Sequence, residues 1–255
     1  MPDWNPDRYL RFAGERTRAC RDLASRIAVL APRTLIDLGC GPGNSTAVLR
    51  ERWPGAEITG LDRSEEMLAA ACRDYPDIAW LRGEIAQWAE DGGPEFDVVF
   101  SNAAIQWAPD HATLLPRLFA RTRVLAFQMP SSTSEAAAQR LIRELAASAE
   151  WRGRFLRPVV DWRAENAAFY YDALAPRAVA VDIWETIYQH VLDGPDAIVE
   201  WYRGTGLRPF LSALPEDDRD RFLNEYRDAI RPHYPARQDG RVLLPFRRLF
   251  VIAYR

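Results

Sequence analysis

The sequence predicts an α/β fold in which a doubly wound, mostly parallel sheet is flanked by helices. Residues 35–38 form a short apolar run with a branched residue at Ile36, as expected for a strand buried on both faces. Three glycines then mark a sharp turn, and Asn44-Ser-Thr46 supplies the N-cap chemistry of a helix. Strand-like and helix-like segments alternate through five such units.

The spacing of the glycine turn indicates which nucleotide it binds. A dinucleotide fingerprint would place its third glycine at position 44, where this chain has Asn44. The pattern from Asp37 through Gly39 and Gly41 to Gly43 instead resembles motif I of class I S-adenosylmethionine (SAM) methyltransferases. The resemblance implies a Rossmann-like fold and a site in which the methionine part of SAM lies over the glycines. A carboxylate at Asp37 suits the SAM ammonium group better than a pyrophosphate.

The alternation continues in order along the first half of the chain. Helix 46–53 ends at Pro54-Gly55, and strand 57–61 finishes at Asp62. Asp62 lies 19 positions beyond Gly43, which matches an acid that receives ribose hydroxyls, although an N-cap role for the next helix is also open. The following segments are predicted as helix 65–73, strand 78–81, strand 95–100, helix 114–119 and strand 123–128.

Two further strand ends are predicted at the cofactor site. Glu84 and Ile85 follow the third strand, where class I methyltransferases place an acid and an apolar residue around adenine. Many relatives have Asp at the position of Glu84. Asn102 follows the fourth strand, and ligands bind at the carboxyl ends of strands in doubly wound sheets.

The N-terminal segment 4–30 reads as an amphipathic helix after a proline-broken lead. Tyr9, Phe12 and Arg16 share one face at helical spacing. The helix either packs on the sheet or covers the cofactor, in which case Arg16 and Tyr9 belong to the cofactor site.

The second half of the chain departs from simple alternation. It is predicted as helix 134–149, an aromatic and irregular stretch 151–171, strand 179–191, helices 195–202 and 215–230, and a closing strand 242–254. The class I resemblance implies a seven-stranded sheet whose last strand inserts antiparallel beside the fifth. We therefore expect one domain, 1–255, with helical cap insertions at about 132–176 and 194–233.

Composition limits the classes of function. The chain has 255 residues, 48% hydrophobic and 27% charged, with a formal net charge of −3. This charge gives no reason to expect nucleic acid or an acidic membrane as partner, so a small molecule is the favoured substrate. All 33 basic residues are arginine. The lack of lysine excludes Schiff-base and pyridoxal-phosphate mechanisms and argues against a P-loop NTPase.

Cysteine usage and hydropathy suggest the compartment. The three cysteines are far apart and form no C-x-x-C pair, so we expect neither a disulfide framework nor a metal site. No signal core and no run of ~18 apolar residues is present. We expect a cytoplasmic protein that is a monomer or a weak homo-oligomer.

Over nearly its whole length the chain resembles the trans-aconitate 2-methyltransferases. The stretches that carry the resemblance beyond motif I are Asp3-Trp-Asn-Pro6, Tyr9-Leu10, Glu15-Arg16, Gln106-Trp107, Pro109-Asp-His111, Gln128-Met-Pro130, Tyr170-Tyr-Asp172, Asp182-Ile-Trp184, Tyr188, His190, Thr205-Gly-Leu-Arg-Pro209 and Arg248-Leu-Phe250. The resemblance implies monomethyl esterification of a small tricarboxylic acid with SAM as cofactor. Motif I alone does not specify the substrate.

The expected chemistry needs little from the protein. A carboxylate has a pKa near ~4 and is already an anionic nucleophile at neutral pH. We therefore expect no catalytic general base and no metal, and catalysis mostly by alignment and desolvation.

A polycarboxylate substrate calls for cations and hydrogen-bond donors. Arg208 is the first candidate to hold a substrate carboxylate, with a surface role as its alternative. The second-rank candidates are Tyr170, Tyr171, Tyr188 and His190, for which structural hydrogen bonds are an equal alternative, and Trp107 as a wall of the methyl-transfer site. Arg248 is expected to be structural.

Other functions remain open on the sequence. The fold and motif I are compatible with a methyltransferase for another small acceptor, or with a SAM-binding protein without turnover. A NAD-dependent oxidoreductase is disfavoured by the missing third glycine.

Overall fold

The computed structural model describes residues 13–131, 136–159 and 164–255, without the side chains of residues 13, 15 and 16. Its sheet has seven strands in the order β3-β2-β1-β4-β5-β7-β6. The strands are β1 (Thr34–Leu38), β2 (Glu57–Asp62), β3 (Ala79–Arg82), β4 (Phe96–Asn102), β5 (Thr122–Pro130), β6 (Ala180–Leu192) and β7 (Val242–Tyr254).

The strand pairing confirms the predicted fold class. Strands β1 to β5 pair in parallel, and β7 pairs antiparallel with β5. Asp37 faces Gly60 and Phe100 faces Ala126 in the parallel ladder, whereas Val124 faces Tyr254 across the antiparallel pair. The carboxyl ends of the first four strands therefore meet at one edge of the sheet, as the doubly wound topology requires.

Ten helices surround or extend these strands within the described residues. They are α1 (Ala13–Arg26), α2 (Asn44–Arg52), α3 (Glu65–Asp74), α4 (Ile85–Glu90), α5 (His111–Phe119), α6 (Ala137–Ala147), α7 (Ala167–Leu174), α8 (Pro195–Arg203), α9 (Arg208–Ala213) and α10 (Glu216–Ile230). Short 3₁₀ turns occupy Ile105–Trp107, Ala175–Arg177 and Arg231–His233. No helix among the described residues is long and apolar enough to cross a membrane.

Three helices, α4, α7 and α9, were not predicted. The stretch 151–171 was expected to be irregular, but its last residues begin α7. Asn166 caps that helix by accepting a hydrogen bond from the Phe169 N–H at 2.9 Å, a signal that the sequence does contain. Helix α9 is only six residues long and carries Pro209 in its first turn, where the missing N–H costs nothing. The part of the predicted helix 4–30 that precedes residue 13 lies outside the described residues.

The chain divides into two compact units. The sheet unit contains the described residues 13–131, 164–186 and 248–255, and the second unit contains 136–159 and 187–247. The centre of the sheet unit is formed by fully buried residues of β1, β4 and β5, among them Ile36, Phe100 and Phe127. The prediction of one domain with cap insertions at 132–176 and 194–233 stays a prediction; α7, within the first predicted insertion, lies in the sheet unit.

The second unit has its own aromatic core. Trp151 packs edge-on against Phe222 with ring centroids 5.0 Å apart, and its indole N–H donates to Glu225 at 2.7 Å. The Tyr226 hydroxyl, on the same helix, donates to the Ala138 carbonyl at 3.0 Å. These contacts join α10 to α6 and to the segment that follows α6, and they satisfy the polar atoms of the buried aromatic side chains.

Candidate functional site

The turn after β1 is held against the end of β2 by backbone hydrogen bonds. The N–H groups of Gly39 and Cys40 both donate to the Leu61 carbonyl, at 2.7 and 3.1 Å. All three glycines have positive φ, at 73° for Gly39, 55° for Gly41 and 92° for Gly43. This conformation is accessible to glycine at little cost and strains other residues.

The three glycines meet different surroundings. A Cβ at Gly39 would lie 2.1 Å from the Cβ of Ala104, and one at Gly43 would lie 2.8 Å from the ring of Tyr75. A Cβ at Gly41 would meet no atom within 4 Å. Gly39 and Gly43 are therefore required by packing inside the protein, whereas Gly41 leaves its backbone bare toward open space.

Asp62, at the end of β2, is fixed to this turn. Its Oδ2 accepts from the Gly41 N–H at 2.9 Å, and its Oδ1 accepts from the Ser64 N–H at 2.8 Å. The N-cap of α3 is Ser64, whose hydroxyl accepts from Met67 N–H. Burial raises the pKa of the Asp62 carboxyl above its usual range, and the two backbone N–H groups oppose that rise. Each oxygen has a second lone pair that can accept a ligand hydroxyl.

Asp37 lies beneath the turn, with no exposed surface. Its Oδ2 accepts from the hydroxyls of Ser45 at 2.6 Å and Thr46 at 2.7 Å, while its Oδ1 has no hydrogen-bond partner among the described residues. Burial raises the pKa of Asp37 to about 6, against the two hydroxyl hydrogen bonds that lower it. A buried carboxylate oxygen without a hydrogen-bond partner calls for an explanation, because most buried polar atoms are hydrogen-bonded.

A cavity of about 750 Å³, measured with its open mouth, lies at this edge of the sheet. Six of the predicted cofactor residues and one predicted substrate residue contribute to its wall: Gly39, Gly41, Asp62, Glu84, Ile85, Asn102 and Trp107. The remaining lining residues were not predicted: Pro42, Arg63, Met67, Gly83, Ala86, Ala103, Ala104, Ala108 and Pro109. Most of these are neighbours of predicted residues in the same loops, so the strand-end rule was the signal that could have found them. Asp37 and Gly43 lie outside the wall.

One end of the cavity is formed by the start of α4. Glu84 is the residue before that helix, and its carboxylate lies 3.6 Å from the guanidinium of Arg63. Ile85 and Met67 add apolar surface to the wall. An acid, a cation and two apolar side chains provide both hydrogen bonding and stacking contact for a heteroaromatic ring.

Three polar side chains meet where β4 and β5 end. The Gln128 Nε2 group donates to Asn102 Oδ1, and Arg248 Nη1 donates to Gln128 Oε1 at 3.3 Å. Next in sequence, Ala103 has a positive φ of 59°, and its N–H donates to the Gln128 carbonyl at 2.9 Å. A non-glycine residue in the left-handed region is strained, and such strain concentrates at functional sites.

The two tyrosines of α7 have contrasting environments. Tyr170 is fully buried, and burial raises the pKa of its hydroxyl. That hydroxyl lies 3.0 Å from His111 Nδ1, accepts from the Glu165 N–H at 2.9 Å and lies 3.4 Å from Met129 Sδ. Tyr171 is 53% exposed. The geometry therefore favours the structural alternative for Tyr170 and leaves Tyr171 accessible.

The other predicted substrate residues belong to the second unit. Tyr188 and His190 are buried on β6 with parallel rings 6.2 Å apart, and His190 also packs on Trp201 at 4.7 Å. Arg208 opens α9 and is half-buried, and its N–H donates to the Thr205 carbonyl at 3.1 Å. This turn places Arg208 at the start of α9, and Phe210 of the same helix is buried.

Two predicted cofactor residues cannot be placed. Tyr9 lies outside the described residues, and so does the side chain of Arg16. In the part of the chain that the structure describes, no group of three or more histidine, cysteine and acidic side chains is arranged to hold a metal ion.

Comparisons with known proteins agree with this geometry. The family model described as a methyltransferase domain matches residues 35–125. The chain is 47% identical to a trans-aconitate 2-methyltransferase of Azoarcus sp. (strain BH72), with both chains covered completely. It is 48% identical to a trans-aconitate 2-methyltransferase of Methylobacterium radiotolerans, covering 99% of this chain and 98% of that one. Among solved structures, the YcgJ protein of Bacillus subtilis superposes with a TM-score of 0.59 at 14% identity, covering 93% of this chain and 98% of that chain, which shows the fold alone.

Proposed function

The chain belongs to the trans-aconitate 2-methyltransferase family, and we propose that it transfers a methyl group from SAM to a carboxylate of trans-aconitate. The products are the monomethyl ester and S-adenosylhomocysteine. The observation that carries this proposal is the identity of nearly one half over the full length of both chains. As a member of this family, the chain is a SAM-dependent methyltransferase.

The residues of the cavity fit SAM. The bare backbone at Gly41 leaves room for the methionine part, and Gly39 belongs to the same turn. Behind the wall, the orphaned Oδ1 of Asp37 is the proposed partner of the ammonium group. The remaining lone pairs of Asp62, in the wall, suit the ribose hydroxyls. Glu84 and Ile85 would hold the adenine, and Asn102 would contact the cofactor from the end of β4.

The chemistry requires positioning more than proton transfer. When bound, SAM supplies a methyl group that its sulfonium already activates. The substrate carboxylate is ionised near pH 7 and has no proton to lose. The protein therefore has to align the attacking oxygen, exclude water and hold the other carboxylates, which is catalysis by orientation.

Charge recognition is assigned to the predicted substrate residues. Arg208 is the proposed partner of a substrate carboxylate, because a guanidinium binds a carboxylate through two parallel hydrogen bonds. Tyr171, Tyr188 and His190 are second-rank donors, and Trp107 lines the cavity as a wall. The Tyr170 hydroxyl is engaged in the core, so we assign it no substrate contact. Arg16 and Tyr9 stay predicted parts of the cofactor site.

Calorimetry with SAM, followed by product analysis with trans-aconitate and a panel of small di- and tricarboxylates, tests the proposal. Formation of a monomethyl ester of trans-aconitate supports it. Methylation of another acceptor only would replace the substrate, and SAM binding without turnover on any acid would favour a non-catalytic SAM-binding protein. A cytoplasmic location and a monomeric or weakly oligomeric state stay predictions.

A further inference from the structure

A chain of three side chains runs from β7 to the wall of the cavity. Arg248 is 5% exposed and Gln128 is 1% exposed, and Asn102 lies in the cavity wall. In the ladder, Asn102 faces Gln128 across β4 and β5, and Arg248 faces Pro130 across β5 and β7. We name these three residues the amide relay.

The hydrogen bonds of the amide relay have one possible direction. A guanidinium only donates, so the oxygen of the Gln128 amide turns toward Arg248 and its NH₂ group turns toward Asn102. Asn102 must then present its own oxygen to Gln128, so the NH₂ group of Asn102 is not used in this hydrogen bond. Among the described residues, Asn102 Nδ2 has no hydrogen-bond partner. An amide without a neighbour that only donates can be turned so that either its oxygen or its NH₂ group faces a given side.

We propose that Arg248 and Gln128 are positioning residues, which hold the Asn102 amide with its NH₂ group toward the cavity to donate to a carboxylate. This inference rests on the proposed function, since both the methionine part of SAM and the acid substrate carry carboxylates. The opposite orientation would present a carbonyl oxygen to that anion and repel it. Arg248, expected to be structural, thereby acquires an effect on the ligand site.

The backbone at the same place supports a positioning role. Ala103 keeps a strained φ of 59° while its N–H donates to the Gln128 carbonyl, so the ends of β4 and β5 are joined by both main chain and side chains. Burying a guanidinium carries a desolvation cost that an apolar residue would avoid. The need to keep the Asn102 amide in one orientation explains why the chain has a buried arginine at position 248 in spite of that desolvation cost.

A double-mutant cycle tests the amide relay. Gln128→Glu keeps an acceptor for Arg248 but leaves no donor for Asn102, whose amide must then turn its oxygen toward the cavity. We expect the Kd for SAM or the KM for trans-aconitate to rise roughly tenfold, the scale of one hydrogen bond to a charged group. Asn102→Ala should cause a similar rise, and the double variant should be no worse than Asn102→Ala. Additive losses, or unchanged binding in Gln128→Glu, would overturn the inference.

Two arms of the experiment separate the carboxylates. Calorimetry compares SAM with decarboxylated SAM, and steady-state kinetics measures the KM for trans-aconitate. A loss seen with SAM and absent with the decarboxylated compound assigns Asn102 to the cofactor carboxylate. A raised KM at unchanged SAM affinity assigns it to the substrate; either result supports the relay. Wild-type SAM binding without methylation of trans-aconitate would reject the proposed substrate and still leave the calorimetric arm decisive.

Controls separate the relay from general damage. Gln189→Glu introduces the same charge on an exposed residue of β6 and should leave Kd, KM and Tm unchanged. Tm is recorded for every variant. If Gln128→Glu does not fold, Gln128→Met removes both hydrogen bonds without adding charge. We expect Gln128→Met to raise the Kd or KM less than Gln128→Glu does, and to cause no further rise when Asn102 is already alanine. A rise that adds to that of Asn102→Ala would overturn the proposal.

Discussion

The Asp62 carboxylate accepts a hydrogen bond from the Gly41 N–H at 2.9 Å, so the acid that ends β2 is joined to the turn that ends β1. Two features that are 21 positions apart in the chain thus form one structure. The same carboxylate also accepts from the Ser64 N–H and steadies the entrance to α3. Local order at this edge of the sheet therefore depends on one side chain, to which the proposed function also assigns the ribose of the cofactor.

Removal of the Asp62 carboxylate should weaken SAM binding. We expect Asp62→Ala to raise the Kd for SAM by about ten- to a hundredfold, because it deletes the ribose acceptor and releases the Gly41 N–H. Calorimetry measures the Kd, and circular dichroism checks that the fold is kept. Asp220→Ala, an exposed residue of α10, is the matched control and should bind normally. Unchanged affinity in Asp62→Ala would remove the ribose assignment.

The glycines should respond differently to the same substitution. Gly39→Ala places a Cβ 2.1 Å from that of Ala104 at a positive φ, and we expect it to lower the free energy of unfolding by about 2–4 kcal/mol. A Cβ at position 41 has room, so Gly41→Ala should lower the free energy of unfolding by only about 1–2 kcal/mol, because of the positive φ. Relative to its loss of stability, its loss of SAM affinity should be larger than that of Gly39→Ala. Denaturant unfolding and calorimetry measure the two quantities, with Gly55→Ala as control. Equal losses of stability at positions 39 and 41 would contradict this view.

Asp37 should make stability depend on pH. Its pKa is raised to about 6 in the folded protein from ~4 in the unfolded chain. Its stabilising contribution is therefore complete below pH ~4 and is lost as pH rises through about 6. Asp37→Asn keeps an oxygen for Ser45 and Thr46 but does not ionise, so its stability relative to wild type should increase by about 2 kcal/mol between pH 4 and pH 7.

Denaturant unfolding of both proteins across that pH range measures the difference. A difference that stays constant from pH 4 to pH 7 would show that Asp37 does not titrate there. Asp37→Asn should also raise the Kd for SAM, since the neutral amide no longer attracts the ammonium group. A gain in stability with a loss in affinity is the signature of a group retained for binding.

Arg208 should affect the acid substrate and leave the cofactor alone. We expect Arg208→Ala to lower kcat/KM for trans-aconitate by about ten- to a hundredfold, typical of one lost charged hydrogen bond, at unchanged Kd for SAM. Arg203→Ala, at the end of the preceding helix and paired with Glu200, is the control and should keep normal kinetics. Normal kinetics in Arg208→Ala would reject the proposed role.

Tyr170 distinguishes a structural from a substrate role. Tyr170→Phe removes a buried hydroxyl that contacts His111 and Glu165, and we expect the free energy of unfolding to fall by about 1–3 kcal/mol. The KM for trans-aconitate should not change, because that hydroxyl is occupied by the core. Tyr171→Phe, on the exposed neighbour, should leave stability unchanged. A raised KM in Tyr170→Phe would restore it as a substrate donor.

Local patterns predicted most of the fold because they report burial directly. The strand at 35–38 is buried on both faces, and its apolar run was sufficient to find β1. Helix α7 was missed because its aromatic residues have weak helix propensity, although Asn166 provides its cap. Helices α4 and α9 are too short to show a period. All three depend on packing, which a local pattern does not contain.

By itself, the sequence determined that Gly39, Gly41, Asp62, Glu84 and Asn102 would share one edge, because parallel strands bring their carboxyl ends together. Only the tertiary structure decided which hydrogen bonds each one makes there. It placed Asp37 beneath the turn instead of in the wall, and it joined Arg248 to Asn102 through Gln128. Arg248 and Gln128 are 120 positions apart in the chain and meet only when the protein folds. The hydrogen bonds between such neighbours decide which lone pairs and N–H groups remain for a ligand.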